Sequence, residues 1–132
     1  AVITVPTPLT DGVPDLQHID EAAGLLGPLV RPGSLVVLES TTYPGTTDER
    51  LTPVLEQHSG MKAGVDFHVG YSPERLDPGN TEWTFTRTPK IVSGVNPESL
   101  EAVRDFYDGI VERTVPVSTG ARCSARARAS RA

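Results

Sequence analysis

Apolar positions along this chain fall into short runs separated by helical spacings. "AVITVPTP" opens with a strand that Pro6 and Pro8 end, because proline cannot donate to a ladder. A turn-rich segment, "LTDGVPD", leads to Asp15, a good N-cap. Leu16, Ile19, Ala23, Leu26 and Val30 then recur at three- and four-residue spacing, which marks one apolar helical face. Pro32-Gly33 terminates that helix. "SLVVLES" is continuously apolar at its centre, as expected of a parallel strand covered on both faces.

After Pro44-Gly45, Thr46 and Glu49 have the spacing of a capping box for a helix through about His58. Gly60 stands where a left-handed cap is common. "VDFHVGY" alternates like a strand. It is followed by an unpatterned 16-residue loop, "SPERLDPGNTEWTFTR", of a length that is usually functional or disordered. "PKIVSGV" returns to strand. Asn96-Pro97-Glu98 starts a helix whose inward face is Leu100, Val103, Tyr107 and Ile110, running to about Arg113, and "TVPV" is a last short strand. The order β-α-β-α-β-loop-β-α-β predicts an α/β fold with a mostly parallel sheet and right-handed crossovers.

Composition narrows this little. The 132 residues suit one domain, and no run reaches the roughly 18 apolar residues that a membrane span needs. One cysteine, Cys123, excludes an internal disulfide and fits a reducing cytoplasm. The chain starts Ala1-Val2-Ile3, with Met61 as its sole methionine, which reads as an excerpt of something longer.

Charge is more informative. The formal net charge is -5, yet residues 119–132, "TGARCSARARASRA", hold four arginines and no acid. The rest carries 8 basic and 17 acidic residues, a net of -9. A body that acidic argues against nucleic acid as partner, since phosphate contacts need clustered cations.

Ligands of open α/β sheets bind outside the carboxyl ends of the strands. Thr7 follows the first strand, Ser40 and Thr41 the second, and Glu74 with Arg75 the third. Each also has a plain structural reading: hydroxyls satisfy turn amides, and Glu74–Arg75 can be a solvated pair. His18, His58 and His68 lack the spacing of a metal site, so no metal is expected. Cys123 has arginines nearby to favour its thiolate, but no base to orient it.

Taken in order, "VPTPL", "PDL", "ESTTYPGTT", "SPERLDPGN" and "PKIVSG" resemble the UDP-glucose/GDP-mannose dehydrogenase family, over residues 2 to about 118. The branch most resembled oxidises UDP-N-acetylhexosamines to uronic acids for surface polysaccharides. The resemblance implies a partial Rossmann-like, doubly wound domain, namely the second half of an NAD-binding domain. It also implies NAD as cofactor, a UDP-sugar as substrate, and a homodimer for full-length members.

The resemblance further implies roles residue by residue. Thr7 would lie against the cofactor's ribose or pyrophosphate, and Ser40 would border the cofactor. Thr41 would sit near the nicotinamide and help hold a catalytic water. Glu74 would stand near the reacting carbon as acid/base in thioester hydrolysis, and main-chain groups of Arg75 and Leu76 would help bind the sugar nucleotide. Some branches carry a second acid four residues after Glu74; here that position is Pro78.

The Gly-rich G-x-G-x-x-G turn of such domains is not in this sequence, nor is the family's nucleophilic cysteine, whose Gly-rich context Cys123 lacks. On this reading the isolated chain is inactive. A non-catalytic sugar-nucleotide-binding or interaction module is the alternative. The domain is expected over residues 1–118. Residues 119–132 form a basic tail, disordered or read out of frame from GC-rich DNA, a point that translating the other two frames tests.

Overall fold

In the computed structural model, residues 1–74 and 84–117 are described. Their strands are β1 (Val2–Ile3), β2 (Leu9–Thr10), β3 (Val13–Pro14), β4 (Leu35–Leu38), β5 (His68–Tyr71), β6 (Lys90–Gly94) and β7 (Thr114–Pro116). Three α-helices lie between them: α1 (Gln17–Leu26), α2 (Thr52–Ser59) and α3 (Pro97–Asp108). Five strands make one sheet in the order β1-β4-β5-β6-β7. All neighbours in it are parallel except β5 and β6, which run antiparallel with Gly70 facing Gly94 and Tyr71 facing Ser93. The α/β class and the mostly parallel sheet are as expected. The one reversal follows from the chain, since no helical pattern separates β5 from β6 and a parallel return needs a crossover element.

The sheet buries both faces. Val36, Leu38, Val69, Tyr71 and Ile91 pack with Ile19 and Ala23 of α1 and Leu55 of α2. Val37 and Val92 pack on the opposite face, with Val103 and Tyr107 of α3 and with Val111. Consecutive residues of β4 therefore serve opposite layers, the period-two alternation of a strand.

Four local expectations are corrected. β1 is only two residues long, and Leu9–Thr10 with Val13–Pro14 form a hairpin instead of an irregular loop. Its tip is Asp11-Gly12, with φ of 54° and 80°; Asp-Gly is a strong hairpin signal because both tip residues need positive φ.

Second, α1 begins after Leu16, which makes no side-chain cap bond. Asp15 still contributes, its carboxylate accepting the Gln17 amide at 2.9 Å. Third, Thr46 does not cap: it is already helical, and its hydroxyl donates to the Tyr43 carbonyl at 2.8 Å. Residues Thr47–Leu51 form a wide π-type turn, and Pro53 opens α2. With no N–H on Pro53, the regular bond to the carbonyl four residues back cannot form, which favours the widened turn. Fourth, α3 stops at Asp108, short of Arg113; Ile110 is 42% exposed and Val111 takes the inward place. Asn96 caps α3 as anticipated, accepting the Ser99 amide at 2.9 Å, and Gly60 is left-handed at φ 70°.

Candidate functional site

The carboxyl ends of β1, β4 and β5 lie side by side in the sheet. They bring the first three candidate segments to one edge. The Thr7 hydroxyl donates to the Thr41 carbonyl at 2.5 Å, and the Ser40 hydroxyl donates to the Val5 carbonyl at 3.0 Å. These two bonds lace the end of β1 to the end of β4. Tyr71 adds a third tie, its phenol donating to the Ser40 carbonyl at 3.0 Å from β5. Ser40 is buried while Thr41 is exposed, so the alternation past Leu38 turns Thr41 toward solvent at the sheet edge. A separate cleft is lined by Val13, Pro14, Asp15, Leu16, Tyr43 and Arg50, and includes none of Thr7, Ser40 and Thr41. The Arg50 guanidinium pairs with Asp20 within this cleft.

Glu74 is half-buried, two residues past Ser72 at the end of β5. Arg75 and Leu76 lie outside the described residues, as do Pro78, Cys123 and the tail 119–132. The imidazole of His68 lies 3.4 Å from the Ser99 hydroxyl, at the opposite end of β5 from Glu74. Among the described residues, no group of three or more His, Cys, Asp or Glu could hold a metal. No described helix is long and apolar enough to cross a membrane.

Sequence reasoning did not single out a buried polar cluster at the same edge. Lys90, 4% exposed, donates to one carboxylate oxygen of Glu39 at 2.5 Å, and the Tyr107 hydroxyl donates to the other at 2.5 Å. The Lys90 ammonium also lies over the rings of Phe85 and Tyr107, at 5.2 and 5.3 Å from their centres. The Ser72 hydroxyl is buried near the phenol but makes no bond of good geometry. Burial first, then the hydrogen bond and charge of Glu39, push the Tyr107 pKa far above its ordinary value, and Glu74's charge adds to this. These effects favour the protonated phenol, which donates to Glu39. One signal in the sequence marks the cluster: Glu39 and Lys90 are charges at positions whose strand alternation points them into the sheet's covered face.

The donor chemistry at the edge fits a dinucleotide. Thr41 offers an exposed side-chain hydroxyl with no partner among the described residues. The flanking hydroxyls of Thr7 and Ser40 fix the backbone around it.

The model of the UDP-glucose/GDP-mannose dehydrogenase family, NAD binding domain, matches residues 1–111. Protein CapL of Staphylococcus aureus is 47% identical over 111 residues, covering 83% of this chain and 26% of that protein. The UDP-N-acetyl-D-glucosamine 6-dehydrogenase of Pseudomonas aeruginosa is 41% identical over the same shares of both chains. Among solved structures, the UDP-D-ManNAc dehydrogenase of Pyrococcus horikoshii superposes with a TM-score of 0.87 at 30% identity. That match covers 98% of this chain and 32% of the other. The ternary complex of a GDP-mannose dehydrogenase from Pseudomonas aeruginosa superposes with a TM-score of 0.82 at 26% identity, covering 98% and 31%.

This chain thus spans about a quarter of the length of the curated relatives it matches. Its fold is that of their Rossmann-like NAD-binding domain, and NAD is its cofactor. By sequence and by fold, the chain belongs to the UDP-glucose/GDP-mannose dehydrogenase family.

Proposed function

We propose that this chain is the portion of a nucleotide-sugar 6-dehydrogenase that binds the nicotinamide side of NAD. The whole enzyme would oxidise the CH2OH of a UDP-N-acetylhexosamine to a carboxylate, in the cytoplasm and as a homodimer. The observation that carries this reading is the shared edge: Thr7, Ser40 and Thr41 are laced together there, and Glu74 follows the next strand. The likeness to a UDP-N-acetyl-D-glucosamine 6-dehydrogenase supports the substrate class.

NAD supplies the hydride acceptor; the chain supplies position and proton transfer. Thr7 borders the ribose or pyrophosphate, with its own hydroxyl committed to the Thr41 carbonyl. Ser40 shapes the cofactor's wall from the interior. Thr41 directs its free hydroxyl at the nicotinamide and at a water. Glu74 would stand near the reacting carbon as acid/base in thioester hydrolysis, taking the proton of the attacking water as a positioned general base. Main-chain groups of Arg75 and Leu76 hold the sugar nucleotide.

Titrating the full 132-residue chain with NAD, while recording amide signals, tests the cofactor assignment. Shifts centred on Thr7, Ser40 and Thr41 are expected; shifts elsewhere, or none at millimolar NAD, refute it. Adding UDP-N-acetylglucosamine or UDP-N-acetylmannosamine should give no NADH absorbance, because the Gly-rich pyrophosphate turn, as well as the covalent nucleophile, is not among these residues. Steady NADH production would show that the chain needs no further segment.

A further inference from the structure

The Glu39–Lys90–Tyr107 cluster is expensive for a purely structural element. Removing two charges from water carries a large desolvation penalty, and a well-packed apolar trio of similar volume often serves stability as well. What the ionic arrangement supplies is direction. Glu39 is held by two donors on its two oxygens, at 2.5 Å each, from two different elements.

The geometry shows what is being directed. Glu39 directly follows β4, and Lys90 opens β6, yet β5 lies between those two strands. The ion pair therefore crosses the end of β5. The β5 residues on that face are small, Gly70 and Ser72, which leaves room for the lysine stem and for α3. A Cβ on Gly70 would stand 2.3 Å from a Val103 methyl carbon. The β5–β6 pairing ends at Tyr71 opposite Ser93, and because the strands run antiparallel, Lys90 at the start of β6 lies on the side toward which the chain leaves β5 for Glu74. On the other side, Glu39 lies two residues before Thr41, with the intervening Ser40 pinned to Val5 and Tyr71.

We propose that Glu39, Lys90 and Tyr107 are positioning residues that fix the carboxyl ends of β4 and β5 against each other, and with them Thr41 and Glu74. This rests on the reading of Thr41 and Glu74 as the reacting edge. The pair acts as a strut of fixed length, and the Tyr107 phenol, held protonated, sets the angle of the Glu39 carboxylate. Phe85 and α3 close the strut off from water. Neither Glu39 nor Lys90 needs to touch cofactor or substrate.

The test compares amide NMR spectra of the full chain with three variants: Lys90→Met, the apolar pair Glu39→Leu/Lys90→Met, and Tyr107→Phe. The apolar pair should remain folded, because it buries no lone charge. Its Thr41 and Glu74 signals should broaden or split, while those of Gly60 and Asn96, remote from the strut, keep their positions. Lys90→Met should show the same local effect with a larger fall in melting temperature. Tyr107→Phe should give a smaller change at Thr41, and it serves as the decisive variant if the double substitution does not fold. Thr41 and Glu74 signals that stay single and sharp in folded variants would reduce the cluster to a stabilising element and overturn the proposal. NAD added to the wild-type chain separates the two readings. If NAD perturbs nothing at Thr7, Ser40 and Thr41, the cofactor assignment falls, whatever the variants show about the strut. If NAD binds there, each folded variant that loosens Thr41 should bind it at least several-fold more weakly.

Discussion

Tyr107 shows how much one side chain carries in this fold. It is 1% exposed, packs edge-on against Phe106, and gives its only polar atom to Glu39. The group's pKa is raised, chiefly by burial and then by Glu39, so the folded state favours the protonated form. The sign of the pH effect follows. Stability from this protonation is complete below the ordinary tyrosine value of 10.0 and is lost as pH rises beyond it, because the unfolded chain ionises there and the folded one does not. One such group contributes about 1.4 kcal/mol per pH unit in that alkaline window. Tyr107→Phe should therefore have two separable effects. At neutral pH it should lose about 1.5–3 kcal/mol, the scale of a hydrogen bond to a charged acceptor. Between about pH 10 and 11 its stability should fall less steeply than wild type, since one proton-linked term is gone. Urea denaturation midpoints at neutral and alkaline pH check both, and equal slopes for the two proteins would contradict the linkage.

At the scale of elements, local chemistry foretold most of the fold, and its failures have identifiable causes. The caps at Asn96 and Gly60 are where residue type demanded them, because an Asx side chain and a left-handed glycine act within three or four residues. The Thr46–Glu49 box had the right residues but lost to Pro53, whose missing N–H reshapes the preceding turn. The antiparallel β5–β6 pairing and the Asp11-Gly12 hairpin each follow from a local signal, the lack of a crossover helix pattern in one and the Asp-Gly pair in the other.

Substitutions at two positions probe how tightly α3 is seated. A Cβ on Gly94 would stand 2.2 Å from the Leu100 amide nitrogen and 2.6 Å from the Ser99 carbonyl carbon. That atom would meet backbone, which cannot swing aside, so Gly94→Ala should cost about 1–3 kcal/mol or more. Asn96→Ala should lose about 1 kcal/mol from the cap alone, with the bond from its side chain to the Gly64 carbonyl lost in addition. Asn96→Asp should keep the cap and lose only the second bond. Thermal unfolding of the three variants ranks them, and a Gly94→Ala protein as stable as wild type would mean that α3 stands off the sheet.

For the molecule as a whole, the sheet is a shared wall between two apolar layers, α1 and α2 on one face and α3 on the other. This layering was legible in the sequence because β4 is apolar on both sides, which only a doubly covered strand requires. The inward-pointing charges of Glu39 and Lys90 were a signal in the sequence, but their pairing with each other and with Tyr107 was not legible, because the three come from separate segments that only the sheet order brings together. Thr7, Ser40, Thr41 and Glu74 could be proposed from sequence because each follows a strand, a position readable one element at a time. Since β4 and β5 contribute to both layers, neither layer should melt without the other. Leu55 is wholly buried in one layer and Val103 wholly buried in the other. Leu55→Ala should cost about 2–5 kcal/mol and Val103→Ala roughly 1–3 kcal/mol, from lost transfer energy plus the cavity left behind. Each should shift one common transition, with circular dichroism and the amide signals of both faces reporting the same midpoint. The residues lie on opposite faces of the sheet and share no partner, so the double variant should lose close to the sum of the two. If Val103→Ala instead released α3 while the α1–α2 face kept its midpoint, the strut that crosses β5 would be joining two separable units, and Lys90→Met would then uncouple them further.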